Sequence, residues 1–220
     1  MSKVLGVLGG MGPAATVHFL ARLQALTPAA GDADHIRVVM DLNPQVPDRN
    51  KQPGEAEAEL TRMAGRLRDV GAEVLAMPCN TAHAQAAGIR AAGVPFIDMI
   101  DATVTAARHS GARTIGVLAT PGGEGLYRKA LEAAGLEVEV TEGDEREGLM
   151  DLIYGVKRGE VGRDARSAMR RLAQALVERG AGVVIAGCTE VPLLLGPDEL
   201  TVPLVDSTDA LAQACVEVCR

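Results

Sequence analysis

Two stretches of this chain repeat each other in order and nearly in step. Gly6-Val7-Leu8 opens the first half and Gly116-Val117-Leu118 the second. Gly71-Ala72-Glu73-Val74 is matched by Gly180-Ala181-Gly182-Val183, and a cysteine, Cys79 or Cys188, stands eight residues after each leading glycine of that pair. A threonine-bearing turn follows each cysteine, Asn80-Thr81 in one half and Thr189-Glu190 in the other. Then come Val94-Pro95-Phe96-Ile97-Asp98 and Val202-Pro203-Leu204-Val205-Asp206. From Gly6 to Cys79 is 73 residues and from Gly116 to Cys188 is 72. One such match could arise by chance; an ordered series at nearly constant spacing predicts two pseudo-symmetric lobes of like fold, facing each other across a cleft. The boundary falls near residues 100–103. Residues 1–102 then form an N-terminal lobe and 103–207 a C-terminal one, with the last helix, 208–220, packing back on the first.

Within each half, short β-branched runs alternate with amphipathic segments of helix length. Residues 4–8, 36–42, 74–77, 114–118, 136–140 and 183–186 read as strands. Most are continuously apolar, as parallel strands covered on both faces must be. Between Glu55 and Val70, Leu60, Met63, Ala64, Leu67 and Val70 recur at helical spacing, and Met169, Leu172, Ala173, Leu176 and Val177 do so between Asp164 and Arg179. Gly71 and Gly180 then sit where C-terminal caps belong. The fold class is therefore α/β, with parallel sheets.

Composition removes several functions. With 220 residues, the chain has length for two lobes of about 100 each. Two Phe, two Tyr and no Trp leave few rings for base stacking, and a net charge of −7 opposes binding to phosphate backbones, so no nucleic-acid partner is expected. No apolar run approaches the roughly 20 residues that span a bilayer, so no membrane association is expected. The apolar stretch near the N-terminus is short and runs into Gly9-Gly10-Met11-Gly12-Pro13, which reads as a buried strand rather than a secretion signal. A cytoplasmic protein with free thiols is the expectation.

Each repeated cysteine follows a buried strand and precedes a predicted helix. Ligands of open α/β sheets bind outside the carboxyl ends of the strands. A helix N-terminus there favours the thiolate, which is the basic and nucleophilic form. Two thiols on opposite sides of one cleft suit removal of a proton from one face of a carbon and its return on the other. A single cysteine in an apolar strand is usually a small buried hydrophobe. That reading holds for Cys215 and Cys219, four and eight residues after Leu211 on its helical face. The matched spacing reverses it for Cys79 and Cys188. Gly9-Gly10-Met11-Gly12-Pro13 lets backbone N–H groups approach an anion. It lacks full dinucleotide spacing, so a carboxylate is an equally good guest. Thr120-Pro121-Gly122-Gly123 takes the equivalent place in the second half. A polar, Pro-rich loop over residues 43–54 carries Arg49, whose guanidinium can clamp a carboxylate through two parallel N–H donors. Lys157 adds a second cation. His83, four residues after Cys79, either stabilises a thiolate or caps and packs; His18, His35 and His109 belong to no constellation.

Gly9-Gly10-Met11-Gly12-Pro13-Ala14-Ala15-Thr16, Met77-Pro78-Cys79-Asn80-Thr81-Ala82-His83 and Ala186-Gly187-Cys188-Thr189-Glu190-Val191 closely resemble the cofactor-independent aspartate/glutamate racemases. The likeness extends to Asn43-Pro44-Gln45-Val46-Pro47-Asp48-Arg49 and Ile153-Tyr154-Gly155-Val156-Lys157, and so covers nearly the whole chain. The resemblance implies two flavodoxin-like lobes with the active site in the cleft between them, commonly in a homodimer. It implies Cys79 and Cys188 as paired acid/base thiols, with no metal and no pyridoxal phosphate. It implies that Gly10, Met11, Asn80, Thr81, Thr120 and Thr189 hold the α-amino-acid head. In the aspartate branch, Arg49 and Lys157 match positions that hold the substrate's carboxylates. Glutamate racemases typically carry Asp-Ser in the first loop and His after Cys-Thr; here Gly9-Gly10 and Glu190 stand there, with Glu190 beside the bound substrate. The family's longer, hydroxyl-bearing stretch after Thr120 is shortened to residues 121–127, where Glu124 adds negative charge near the expected anion site.

The resulting expectation is an isomerase that interconverts L- and D-aspartate. Its alternatives are a glutamate or broad-specificity racemase, a cofactor-free isomerase or decarboxylase of a related diacid, and a carboxylate-binding protein without turnover.

Overall fold

The computed structural model describes residues 2–49 and 51–220; Met1, at the start of the first lobe, and Asn50, in the Pro-rich loop, lie outside the described residues. The chain divides into two compact units, Met1–Ala102 with Thr208–Arg220, and Thr103–Ser207.

The first unit is built from β1 (Leu5–Gly9), α1 (Pro13–Leu26), β2 (Val38–Leu42), α2 (Pro53–Asp69), β3 (Val74–Ala76), α3 (Ala86–Arg90), β4 (Phe96–Ile97) and the start of α4 (Met99–Arg108). Its sheet is parallel, in the order β2-β1-β3-β4. The second unit follows with β5 (Thr114–Leu118), α5 (Pro121–Ala133), β6 (Glu137–Val140), α6 (Gly143–Lys157), α7 (Arg163–Glu178), β7 (Val183–Ala186) and β8 (Leu204–Asp206), and α8 (Ser207–Cys219) closes the chain. Its sheet is also parallel, in the order β6-β5-β7-β8. The two halves thus share one topology, four strands of the doubly wound, flavodoxin-like order. Among the described residues, no helix is long and apolar enough to cross a membrane.

The predicted strands are present, some a residue or two shorter than their apolar runs. Two more, β4 and β8, did not read as strands because they hold only two and three residues beyond a proline. Each pairs through its first residues with an already formed neighbour, Leu75 with Phe96 and Val184 with Leu204. Tertiary pairing rather than local propensity makes them strands.

The alternation along β1 decides the layers of the first unit. Leu8, Leu75 and Met77 pack on Leu60, Met63, Ala64 and Leu67 of α2. Leu5, Val7, Val74 and Ala76 point the other way, onto Phe19 and Leu23 of α1 and Leu211, Cys215 and Cys219 of α8. Cys215 and Cys219 are therefore core residues, and burial pushes both thiols up. In the second unit, Leu118, Val184 and Ala186 pack with Leu149, Ile153 and Val156 of α6 and Met169, Ala173 and Leu176 of α7.

The repeated glycines have physical causes. Gly71 and Gly180 end α2 and α7 in the left-handed region, φ +92° and +102°. The next residue's N–H returns to the helix in each case, Ala72 to the Leu67 carbonyl at 3.0 Å and Ala181 to the Leu176 carbonyl at 3.1 Å. Gly6 and Gly116 are where those helix ends press on the central strand. A Cβ on Gly6 would stand 2.7 Å from Ala72 Cβ, and one on Gly116 would stand 3.1 Å from Ala181 Cβ. Gly6→Ala is therefore expected to cost about 2 kcal/mol of stability and Gly116→Ala distinctly less, since overpacking costs roughly 1–3 kcal/mol. Urea denaturation of the two variants checks the order; equal losses would contradict this account of the glycines.

Candidate active site

In a sheet ordered β2-β1-β3-β4, the winding reverses between β1 and β3, and a crevice opens beyond their carboxyl ends. The predicted residues of the first unit lie there. Gly10 and Met11 follow β1, and Cys79, Asn80 and Thr81 follow β3. In the second unit the same reversal lies between β5 and β7. Thr120 follows β5, and Cys188, Thr189 and Glu190 follow β7.

Gly10 is in the left-handed region at φ +100°, and a Cβ there would lie 2.4 Å from the Asn43 carbonyl carbon. Only glycine allows the Pro-rich loop to start against this turn. The loop is tied down further: Asn43 N–H donates to the Gly9 carbonyl at 3.1 Å, Asn43 Oδ1 accepts from Gln45 N–H at 2.9 Å, and Asn43 Nδ2 donates to Glu59 of α2 at 3.0 Å. The Gly10 N–H donates to Thr16 Oγ1 at 2.9 Å, and that hydroxyl donates to the Gly12 carbonyl at 3.0 Å. The turn thus spends the Gly10 N–H on its own structure rather than on an anion. Thr16 is a positioning residue that sequence reasoning missed; its spacing, one helical turn inside α1, was the available signal.

Met11, Val46 and Cys79 share one buried cluster with Leu8 and Met77. Arg49 joins this group through the loop. Its Nη1 donates to the Pro47 carbonyl at 3.2 Å and the Val46 carbonyl at 3.4 Å, and its Nε is buried without a hydrogen-bond partner among the described residues. Cys79 is 5% exposed, with Asn80 and Thr81 buried beside it. No long helix begins here. A 3₁₀ turn, Thr81–Gln85, leads into the five-residue α3, so the expected helix N-terminus is weak.

His83 lies on that turn with its side chain buried. Nδ1 is 2.9 Å from the Cys79 carbonyl, and Nε2 accepts the Met99 N–H at 3.0 Å. A carbonyl only accepts, so the ring is neutral with its proton on Nδ1. Burial holds its pKa below the usual histidine range, against the pull of Asp98. A neutral ring of this kind supplies no positive charge to a thiolate, which closes that half of the sequence reading.

In the second unit, Thr120 caps α5, accepting from Gly123 N–H at 3.3 Å. Gly123 and Gly187 allow α5 and the cysteine loop to meet, since a Cβ on Gly187 would lie 2.8 Å from the buried Tyr127 ring. Cys188, 6% exposed, donates from Sγ to Glu190 Oε2 at 3.0 Å, and Thr189 Oγ1 is 3.4 Å from the same oxygen. Burial first, and the Glu190 carboxylate second, push the Cys188 thiol well above its ordinary range, while Lys157 pulls weakly the other way. The sequence predicted a lowered thiol; only a three-residue 3₁₀ turn, Val191–Leu193, follows the loop, and burial with an adjacent carboxylate outweighs it. Lys157 ends α6, exposed, its Nζ 5.4 Å from the Tyr154 ring centroid. Glu124 is turned to Arg146 of α6, at 2.8 Å, and to Arg128, at 3.6 Å, so its charge is matched. Among the described residues, no group of three or more His, Cys, Asp or Glu side chains could hold a metal ion.

Each of the two like lobes carries a buried cysteine at its reversal point. The model of the Asp/Glu/Hydantoin racemase family matches residues 8–215, and the chain belongs to that family. It is an isomerase, an amino-acid racemase acting on a small substrate. The broad specificity amino-acid racemase RacX of Bacillus subtilis is 25% identical over 221 residues, 97% of this chain and 96% of that protein. The aspartate racemase of Picrophilus torridus superposes with a TM-score of 0.84 at 27% identity, covering 98% of this chain and 93% of that one. A glutamate racemase of Synechococcus sp. is 33% identical, but over 69% of this chain and 56% of its own length.

The electrostatics of Cys188 yield a direct check. Glu190→Gln keeps the shape but removes the charge, so the Cys188 pKa is expected to fall and its alkylation by iodoacetamide at pH 8 to quicken several-fold. Mass spectrometry of the Cys188 peptide across pH reads this; an unchanged profile would show that Glu190 does not bear on the thiol.

Proposed function

We propose that the protein racemises aspartate, with Cys79 and Cys188 as the two proton-transfer groups. The reading requires the two reversal points to face one another across the substrate. One thiolate takes the α-proton: its S–H bond forms as the Cα–H bond breaks, and the electron pair stays on Cα. The opposing thiol gives its proton to the other face of Cα and is left as thiolate. Cys188 suits the donor role in its resting state, because burial and Glu190 keep it protonated. In the reverse direction Cys188, left as thiolate by that donation, takes the α-proton, and Cys79, now protonated, gives its proton to the opposite face of Cα. The α-hydrogen is a very weak acid, so backbone N–H groups, hydroxyls and cations around the α-carboxylate must carry much of the stabilisation in a water-poor site. Asn80, Thr81, Thr120 and Thr189 are the candidates, all buried at the strand ends. Gly10 and Met11 are assigned to the α-amino-acid head on the first unit's side, and Thr16 holds their turn in place.

The observation that carries the acidic substrate is Arg49. A guanidinium whose Nε is buried without a partner favours an incoming carboxylate, since an unsatisfied buried polar group is costly. Lys157 is assigned to the other carboxylate. The aspartate racemase relative, similar over nearly its full length, supports this choice. Broad specificity is the second reading, favoured by the full-length likeness to RacX. Family membership favours turnover over a carboxylate-binding module. The same reading carries a homodimer, which light scattering checks against the protomer mass of 22.9 kDa.

Cys79→Ser and Cys188→Ser are each expected to abolish racemisation, followed by circular dichroism on single enantiomers; full activity in either would sink the two-thiol mechanism. Activity is expected to survive dialysis against chelator and to need no pyridoxal phosphate. The substrate is tested by kcat/KM for aspartate, glutamate and alanine in the wild type and in Arg49→Leu. One methylene is worth only roughly 1–3 kcal/mol, whereas loss of the distal carboxylate leaves cations unpaired. Aspartate is expected to lead, and Arg49→Leu to depress it far more than alanine. Equal rates for aspartate and alanine in the wild type would leave the broad-specificity reading.

A further inference from the structure

Both ring nitrogens of His83 are spent on the main chain at two consequential points. Nδ1–H holds the carbonyl of Cys79 itself. Nε2 takes the N–H of Met99, the first residue of α4. The remaining first-turn donors of α4, the N–H groups of Ile100 and Asp101, go to Asp98 Oδ1 at 2.9 and 3.3 Å. The ring completes a cap that Asp98 alone leaves open and fastens the cysteine turn to it. Phe96 of β4 lies against one side, ring centroids 5.3 Å apart, and Arg90 of α3 covers that Phe and pairs with Asp98 at 2.7 Å. At Cys188 the side-chain partner is instead a carboxylate and the contact is to sulfur, while its carbonyl accepts the Val191 N–H at 2.9 Å.

We infer that His83 is a positioning residue for Cys79, acting through the cysteine's carbonyl as a neutral bridge to the N-terminus of α4. The inference rests on Cys79 being one of the two proton-transfer groups. A 3₁₀ turn is a loosely determined support for a sulfur that must lie within a few tenths of an ångström of its reaction path. The bridge replaces what a longer helix would have supplied. It also requires the ring to stay neutral: a proton on Nε2 would meet the Met99 N–H. The charged groups facing the ring are Asp98, whose Oδ1 is 3.9 Å from Nε2, Asp101 and Arg90. Burial dominates them and keeps the proton off.

The test compares His83→Asn, which keeps a donor near the Nδ1 position, with His83→Leu, which keeps neither bond. In His83→Leu, kcat is expected to fall about 10- to 100-fold with KM little changed, as for a small misplacement of a reacting group. His83→Asn is expected to recover part of that loss. The decisive reading is isotopic. With α-deuterated substrate, the primary isotope effect should rise for the enantiomer whose proton Cys79 removes and fall for the other. A general loss of folded protein moves neither. Should His83→Leu not fold, nitrogen NMR of the wild type decides, since the bridge demands a neutral ring protonated on Nδ1 at neutral pH. A ring protonated on Nε2, or wild-type kinetics in His83→Leu, overturns the inference. Those results are separable from failure of the parent reading, which Cys79→Ser tests alone.

Discussion

In a parallel sheet wound in the order 2-1-3-4, crossovers on the two sides of the central pair leave to opposite faces. A crevice opens beyond the carboxyl ends of β1 and β3, and of β5 and β7. Loops leaving those four strands must therefore satisfy their own backbone groups with what lies beside them. Thr16 does this for the Gly10 turn, Thr120 for the start of α5 and His83 for the cysteine turn of the first lobe. Side chains that look like candidate ligands are in several cases the internal scaffolding of the loops at these strand ends. The residues left over are the ones available for chemistry.

Much of the architecture was legible because it rests on patterns that burial enforces. Parallel strands covered on both faces must be apolar throughout, helix ends that press on a central strand demand small residues at Gly6 and Gly116, and left-handed helix ends favour glycine at Gly71 and Gly180, so these four mark the repeat in the sequence. β4 and β8 were not legible, because two or three residues carry no period and become strands only by pairing with a neighbour. Cys215 and Cys219 read as core from helical spacing alone, and they are core.

Protonation in the site was poorly legible, and for one reason. Sequence shows that a turn follows a buried strand; it does not show how much helix follows the turn. The expected helices after Cys79 and Cys188 begin as 3₁₀ turns, and the field that would lower a thiol is correspondingly small. At Cys188 burial first, and the carboxylate of Glu190 second, then decide the sign. At His83 the spacing of four residues suggested a charge partner for sulfur, whereas the ring binds the carbonyl of the same residue. Glu124 looked like a charge in the wrong place until Arg146, distant in sequence, was seen to match it.

The lobes repeat in topology but not in what attends each thiol, a carboxylate at Cys188 and a neutral imidazole behind Cys79. For the proposed reaction this asymmetry meets a thermodynamic limit. Mirror-image amino acids have the same free energy in water, so kcat/KM must be equal for the two directions, however unlike the two bases are. An uneven site can only redistribute that common ratio. The enantiomer bound more tightly must also be turned over more slowly at saturation, by the same factor. Divergence of the two halves therefore cannot make the enzyme favour one hand at equilibrium. What it sets is the concentration at which each hand saturates the site.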